Sequence, residues 1–218
     1  MSSADEDRLR QEVVELGASL FRRTLTFGRT GNISVRLGEK ILVTATGVSL
    51  GSLRPQDLAT IDLNGKPLEG PQPSKEAFFH AAVYRAQPRT NAVVHLHSTN
   101  VVAVSCLADL DPADLLPPLT PYYVMRVGKL PLLPYHAPGD DRLEPLVEKI
   151  AADHQAFVLA NHGSVVSGRD LAAAADAAEE LEETAKLYLM LRGLPVRALN
   201  AEQVADIQSR YGSQAAVR

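Results

Sequence analysis

The chain has 218 residues, 45% hydrophobic and 22% charged, the balance of a globular domain with a sizeable core. A net charge of -4 excludes a globally basic surface, so neither nucleic acid nor an anionic membrane is expected as a partner. One cysteine, Cys106, excludes an intramolecular disulfide, and with no apolar signal core in MSSADEDRLRQE and no bilayer-length apolar stretch, a cytoplasmic chain is expected.

Leu9, Val13, Leu16, Leu20 and Phe21 recur at helical spacing and predict a helix over residues 8–27, broken by Gly28, Gly31 and Asn32. Strands are predicted at 33–37, 40–44 and 59–63, with Asn64-Gly65 as a tight turn and Gly70-Pro71-Gln72-Pro73 as a loop. Ser74 is the expected N-cap of a helix running from Lys75 to Ala86, with Glu76 in its first turn. Asn91–His97 reads as a buried strand, followed by a helix capped at Ser98 or Thr99 and running through Ala108. Residues 117–138 are proline-rich with short apolar pieces, and 142–152 look helical. Strands at 155–160 and 164–167 flank an Asn161-His162-Gly163 turn. Asp170 caps a long alanine-rich helix that ends at Gly193, and a shorter helix covers 201–211. Strands and helices are mixed without a linker, which defines one α/β domain over residues 1–218 with its sheet covered by helices.

His95 and His97 stand two apart in Val-Val-His-Leu-His. On a strand, side chains at i and i+2 share a face, so the two imidazoles form a pair suited to zinc or a similar ion. A lone His-x-His is as often a core histidine beside a surface one. Here His162, in a turn after a buried strand, and Glu76, at the start of a capped helix, complete a four-ligand set for one divalent ion per chain, zinc first, with manganese or cobalt as alternatives. Glu76 is also the candidate proton carrier. His80 follows one helical turn later and could share its face, whereas His136 and His154 flank loops and read as structural or exposed. Cys106 reads as core, and Ser98 and Ser105 lack a nucleophile elbow. Three short segments, the glycine-rich and polar Gly28-Arg29-Thr30-Gly31-Asn32-Ile33-Ser34, Thr46-Gly47 and Ser74-Lys75, are candidate phosphate cradles, each weak alone because ordinary turns and caps look the same.

Taken together these segments resemble the class II aldolase/adducin family over residues 8–193, in the family's order. Gly31-Asn32-Ile33-Ser34 and Thr46-Gly47 resemble its phosphate loops, and Ser74-Lys75-Glu76 its acid/base segment. Val94-His95-Leu96-His97 and Asn161-His162-Gly163 resemble its metal histidines. The resemblance implies a three-layer α/β/α sandwich with a central, mainly antiparallel sheet, and a homotetramer. It also implies a small phosphorylated sugar or sugar-acid substrate and a tyrosine proton donor, for which Tyr122 and Tyr123 are the candidates. Residues 116–129 and His97-Ser98-Thr99 resemble the branch that decarboxylates 3-oxo-tetronate 4-phosphates to dihydroxyacetone phosphate through a metal-stabilised enediolate. Lys75 stands where the aldolases often carry a second small hydroxyl residue. Two other readings stay open: an aldolase or epimerase acting on a phosphorylated ketose such as fuculose 1-phosphate, and a non-catalytic adducin-like module.

Overall fold

The computed structural model describes residues 3–211. Eight strands form one sheet in the order β4-β3-β2-β1-β5-β8-β7-β6. They are β1 (Asn32–Leu37), β2 (Lys40–Thr44), β3 (Leu58–Asp62), β4 (Pro67–Glu69), β5 (Ala92–Leu96), β6 (Leu132–Leu133), β7 (Ala156–Leu159) and β8 (Gly163–Gly168). Every neighbouring pair is antiparallel except β6 with β7.

The strand period of two sorts the core into two layers. Ile33, Leu42, Val94, Leu96, Val158 and Val166 point to one face, where α1 (Ser3–Arg22), α3 (Thr99–Ser105), α4 (Pro121–Arg126) and α6 (Leu171–Leu191) pack on them. Ile41, Val43, Val93, Phe157 and Val165 point to the other face, under α2 (Ala77–Ala86) and α5 (Glu144–Ala151). The result is the expected α/β/α sandwich. A last helix, α7 (Ala201–Tyr211), follows.

The structure corrects several boundaries. α1 stops at Arg22 because Thr24 takes a left-handed backbone (φ 62°) and Leu25 N–H bonds back to the Leu20 carbonyl at 3.0 Å. α2 starts at Ala77, so Glu76 occupies the N-cap position, and Ser74 Oγ accepts from Glu76 N at 3.3 Å one step upstream. α3 ends at Ser105, which leaves Cys106 exposed at its C-cap and not in the core. Asp170 caps α6 as expected, its carboxylate accepting from Ala173 N at 2.7 Å. No helix among the described residues is long and apolar enough to cross a membrane.

Candidate metal centre and active-site cavity

The alternation that puts Val94 and Leu96 on the α1/α6 face puts Val93 and His95 on the α2 face. There the His95 ring meets Phe79 of α2 edge-on at 5.3 Å. His97, just past β5, stays on the same side, and the two Nε2 atoms lie 2.9 Å apart. His162 reaches the same point from the β7–β8 turn, where Asn161 takes φ 56°. The turn sits hard against β5: a Cβ on Gly163 would lie 2.3 Å from the Leu96 carbonyl oxygen, so glycine is required there. Gly31 makes a similar approach on the other side. It has φ 76°, and a Cβ would lie 2.8 Å from the His95 carbonyl oxygen.

Glu76, 8% exposed, faces these rings from the start of α2. Its Oε2 lies 3.3 Å from His95 Nε2 and its Oε1 3.1 Å from His162 Nε2. The three imidazoles stand edge-on to one another, with centroids 4.5 to 5.0 Å apart. One donor atom from each of the four residues falls within 4.8 Å of all the others.

The chemistry of this set fits one divalent cation. His95 Nδ1 donates to the Ser164 carbonyl at 2.8 Å, which fixes the tautomer and leaves the Nε2 lone pair aimed at the cluster. His162 Nε2 is buried, and although Glu76 Oε1 lies 3.1 Å away it makes no well-directed hydrogen bond. Burial pushes His97 down to about 3, helped by His95 and His162, and pushes His95 down as well, so the rings are held in the neutral form that a metal ligand needs. Burial alone would push the Glu76 carboxyl up; positive charge at the His95 and His162 side of the cluster, together with the Asn32 amide, outweighs it and holds the group well below the ordinary carboxylate range.

The three candidate phosphate segments converge on the same place. The bridge between Ala45 and Pro73, with Ser74 N bonded to the Thr44 carbonyl at 3.0 Å, sets the Thr46-Gly47 turn beside Ser74-Lys75. Gly31, Asn32, Thr46, Gly47, Ser74 and Lys75 line one cavity of about 190 Å³ with Glu76, His97 and His162. Arg29, overlooked as a candidate although it lies inside the glycine-rich segment, lines it too and adds a second exposed cation beside Lys75. His97 and His162 also border a larger cavity of about 450 Å³ with Phe27, Tyr135 and His136.

The structure places the two tyrosine candidates in different surroundings. Neither Tyr122 nor Tyr123 borders either of these two cavities; Tyr122 lines a separate one with Arg126 and Asp176. Thr120 caps α4, and consecutive residues then diverge around the helix. Tyr123 is buried in the core with its hydroxyl unpartnered, while Tyr122 is exposed, under the Arg126 guanidinium at 5.5 Å. Tyr135, an exposed tyrosine, lines the larger cavity together with His97 and His162. His80 does not reach the cluster; it hydrogen-bonds Asn32 instead.

Fold, donor set and cavity define an enzyme-like α/β/α domain with a Glu/His₃ cluster, and comparison with known proteins gives its family. Residues 11–189 match the Class II Aldolase and Adducin N-terminal domain, and the chain belongs to that family. It is 48% identical to the 3-oxo-tetronate 4-phosphate decarboxylase of Escherichia coli (strain K12) over 205 residues, 94% of this chain and 97% of that protein. Identity to the L-fuculose phosphate aldolase of the same strain is 32% over 211 residues, 95% of each chain. The crystal structure of YgbL from Escherichia coli superposes with a TM-score of 0.90 at 47% identity, covering 93% of this chain and 99% of that one.

Proposed function

We propose that this chain is a metal-dependent carbon–carbon lyase that decarboxylates a 3-oxo-tetronate 4-phosphate, yielding dihydroxyacetone phosphate and carbon dioxide. The observation that carries the reading is the single cavity in which a cluster of one carboxylate and three imidazoles adjoins glycine turns and two cations. Decarboxylation is favoured over aldol cleavage by likeness: 48% identity to a decarboxylase against 32% to an aldolase.

His95, His97, His162 and Glu76 are the residues that would hold the ion. A bound divalent cation would supply the Lewis acid for negative charge developing on the substrate's ketone oxygen. Arg29, Lys75, the hydroxyls of Thr46 and Ser74 and the N–H groups of Gly31 and Gly47 bind the phosphate, and this remote grip holds the carboxylate out of the plane of the ketone. The C1–C2 bond then breaks, carbon dioxide leaves, and the bond's electron pair becomes the C2–C3 double bond of an enediolate. Protonation at C2 gives dihydroxyacetone phosphate. Glu76 delivers that proton: once it turns from the imidazoles to the substrate it loses the contacts that hold its carboxyl down, takes up a proton from solvent, passes it to C2 and returns to the ionised form. Zinc as the ion, a homotetramer as the assembly and the cytoplasm as location complete the reading.

Purified enzyme supplied with a 3-oxo-tetronate 4-phosphate or with fuculose 1-phosphate, and followed for carbon dioxide and lactaldehyde, tests the reaction. Fast carbon dioxide release and little lactaldehyde are expected. Lactaldehyde without carbon dioxide would make the chain an aldolase and leave the metal cluster untouched.

A further inference from the structure

Behind Glu76, between β1 and α2, lies a line of buried polar side chains that the metal cluster does not use. Asn32 and Ser34 come from β1, and His80 and Tyr84 from successive turns of α2. Asn32 Nδ2 lies 2.8 Å from Glu76 Oε2, and Asn32 Oδ1 is in hydrogen-bond contact with His80 Nε2. Ser34 Oγ lies 2.7 Å from His80 Nδ1 and 3.0 Å from Tyr84 OH.

The direction of each bond follows by elimination. An ionised carboxylate only accepts, so Asn32 donates its amide N–H to Glu76 and turns its oxygen to His80. An amide oxygen only accepts, so His80 carries its hydrogen on Nε2 and donates. The buried ring is neutral, so Nδ1 accepts from the Ser34 hydroxyl, and Ser34 accepts in turn from Tyr84. Without a donor at His80, nothing on this side would stop the Asn32 amide turning over, which would set its oxygen against the Glu76 carboxylate.

We propose that His80 is a positioning residue for Glu76, acting through Asn32. Its Nε2–H holds the asparagine amide in the orientation that presents N–H to the carboxylate, and so fixes the direction in which the carboxylate faces the histidines. This rests on the reading of Glu76 as a metal ligand.

The test is a double-mutant cycle on metal-free protein titrated with cobalt(II) alone, read by cobalt absorption in competition with a chelator. His80→Phe keeps a ring stacked on Phe79, whose centroid lies 5.0 Å from that of His80, but removes both hydrogen bonds. It is expected to weaken cobalt binding about 10- to 100-fold, the usual scale for an outer partner of a metal ligand, and Asn32→Ala is expected to do the same. Because the influence passes through Asn32, the double variant should bind no more weakly than the worse single one. His80→Phe binding like wild type, or a double variant losing the product of the two single losses, would overturn the proposal. Wild type that bound no cobalt would overturn the metal reading itself, and the proposal with it. Independently of any variant's folding, long-range proton–nitrogen spectra of metal-free wild type should show His80 as the Nε2–H tautomer. The Nδ1–H tautomer would overturn the proposal.

Discussion

Glu182 supports the metal-bearing strand from behind, and its removal has a size that can be worked from the contacts. α3 begins two residues after His97, and its own serine does not cap it: Ser98 Oγ donates to the Leu25 carbonyl at 2.8 Å. The cap comes from α6. Glu182, 6% exposed, accepts from Asn100 N at 3.0 Å and Asn100 Nδ2 at 2.8 Å through one oxygen, and from Val101 N at 3.0 Å through the other. In Glu182→Ala the Val101 N–H is left buried without a partner, at about 1–3 kcal/mol, and the helix loses a cap of about 1 kcal/mol. Truncating the packed methylenes adds about 1 kcal/mol. The expected total is about 3–5 kcal/mol, or on the order of 10 °C in Tm for a chain of this size. Glu182→Gln retains one acceptor and should lose about half as much. Urea and thermal unfolding of metal-free protein, followed by circular dichroism, measures both. A loss below about 1 kcal/mol for Glu182→Ala, within the range of an ordinary surface change, would refute the reasoning by showing that water caps α3 equally well.

Glu76→Gln should keep the fold and much of the metal yet lower turnover at least about a hundredfold, the usual scale for a general acid/base; near-normal turnover would move the proton role elsewhere, with Tyr135, which lines a cavity with His97 and His162, a candidate. His97→Ala should leave purified protein with well under the one equivalent of divalent metal expected of wild type after dialysis, measured by elemental analysis, and equal content in both would reject His97 as a ligand.

Much of the architecture was legible because it depends on local periodicity. The continuous apolar run ending at His95 marked β5 as a central strand, and the same-face rule for i and i+2 brought His95 and His97 together. Asp170 at the head of an alanine-rich stretch marked the start of α6. The elements that escaped, β4, α4 and β6, are three, six and two residues long. Segments so short carry fewer than two full periods and form because the rest of the domain holds them. The same limit explains the tyrosines. Family likeness supplied the residue type, but only the helix at Pro121–Arg126 separates Tyr122, turned to solvent, from Tyr123, turned to the core. Cys106 was misplaced by a single turn, since α3 stops at Ser105.

The hydrogen bonds around the donors depend on something no local pattern carries, the register between strands distant in sequence. Asn32 on β1 is the direct partner of His95 on β5, and Leu96 on β5 is the partner of Ser164 on β8. The first pairing places the Asn32 amide beside the carboxylate that faces His95; the second lets the Ser164 carbonyl hold His95 Nδ1. A slip of one residue in β5 would turn His95 onto the opposite face of the sheet, among the leucines and valines under α6, and would carry Leu96 into the cluster. That slip is costly because it would bury the His95 imidazole among apolar side chains without its Ser164 carbonyl partner. The pattern that buries the sheet is therefore the same pattern that aims the ligands. Residues 44 positions apart, such as Asn32 and Glu76, can meet reproducibly at 2.8 Å because the core on both faces allows a single register.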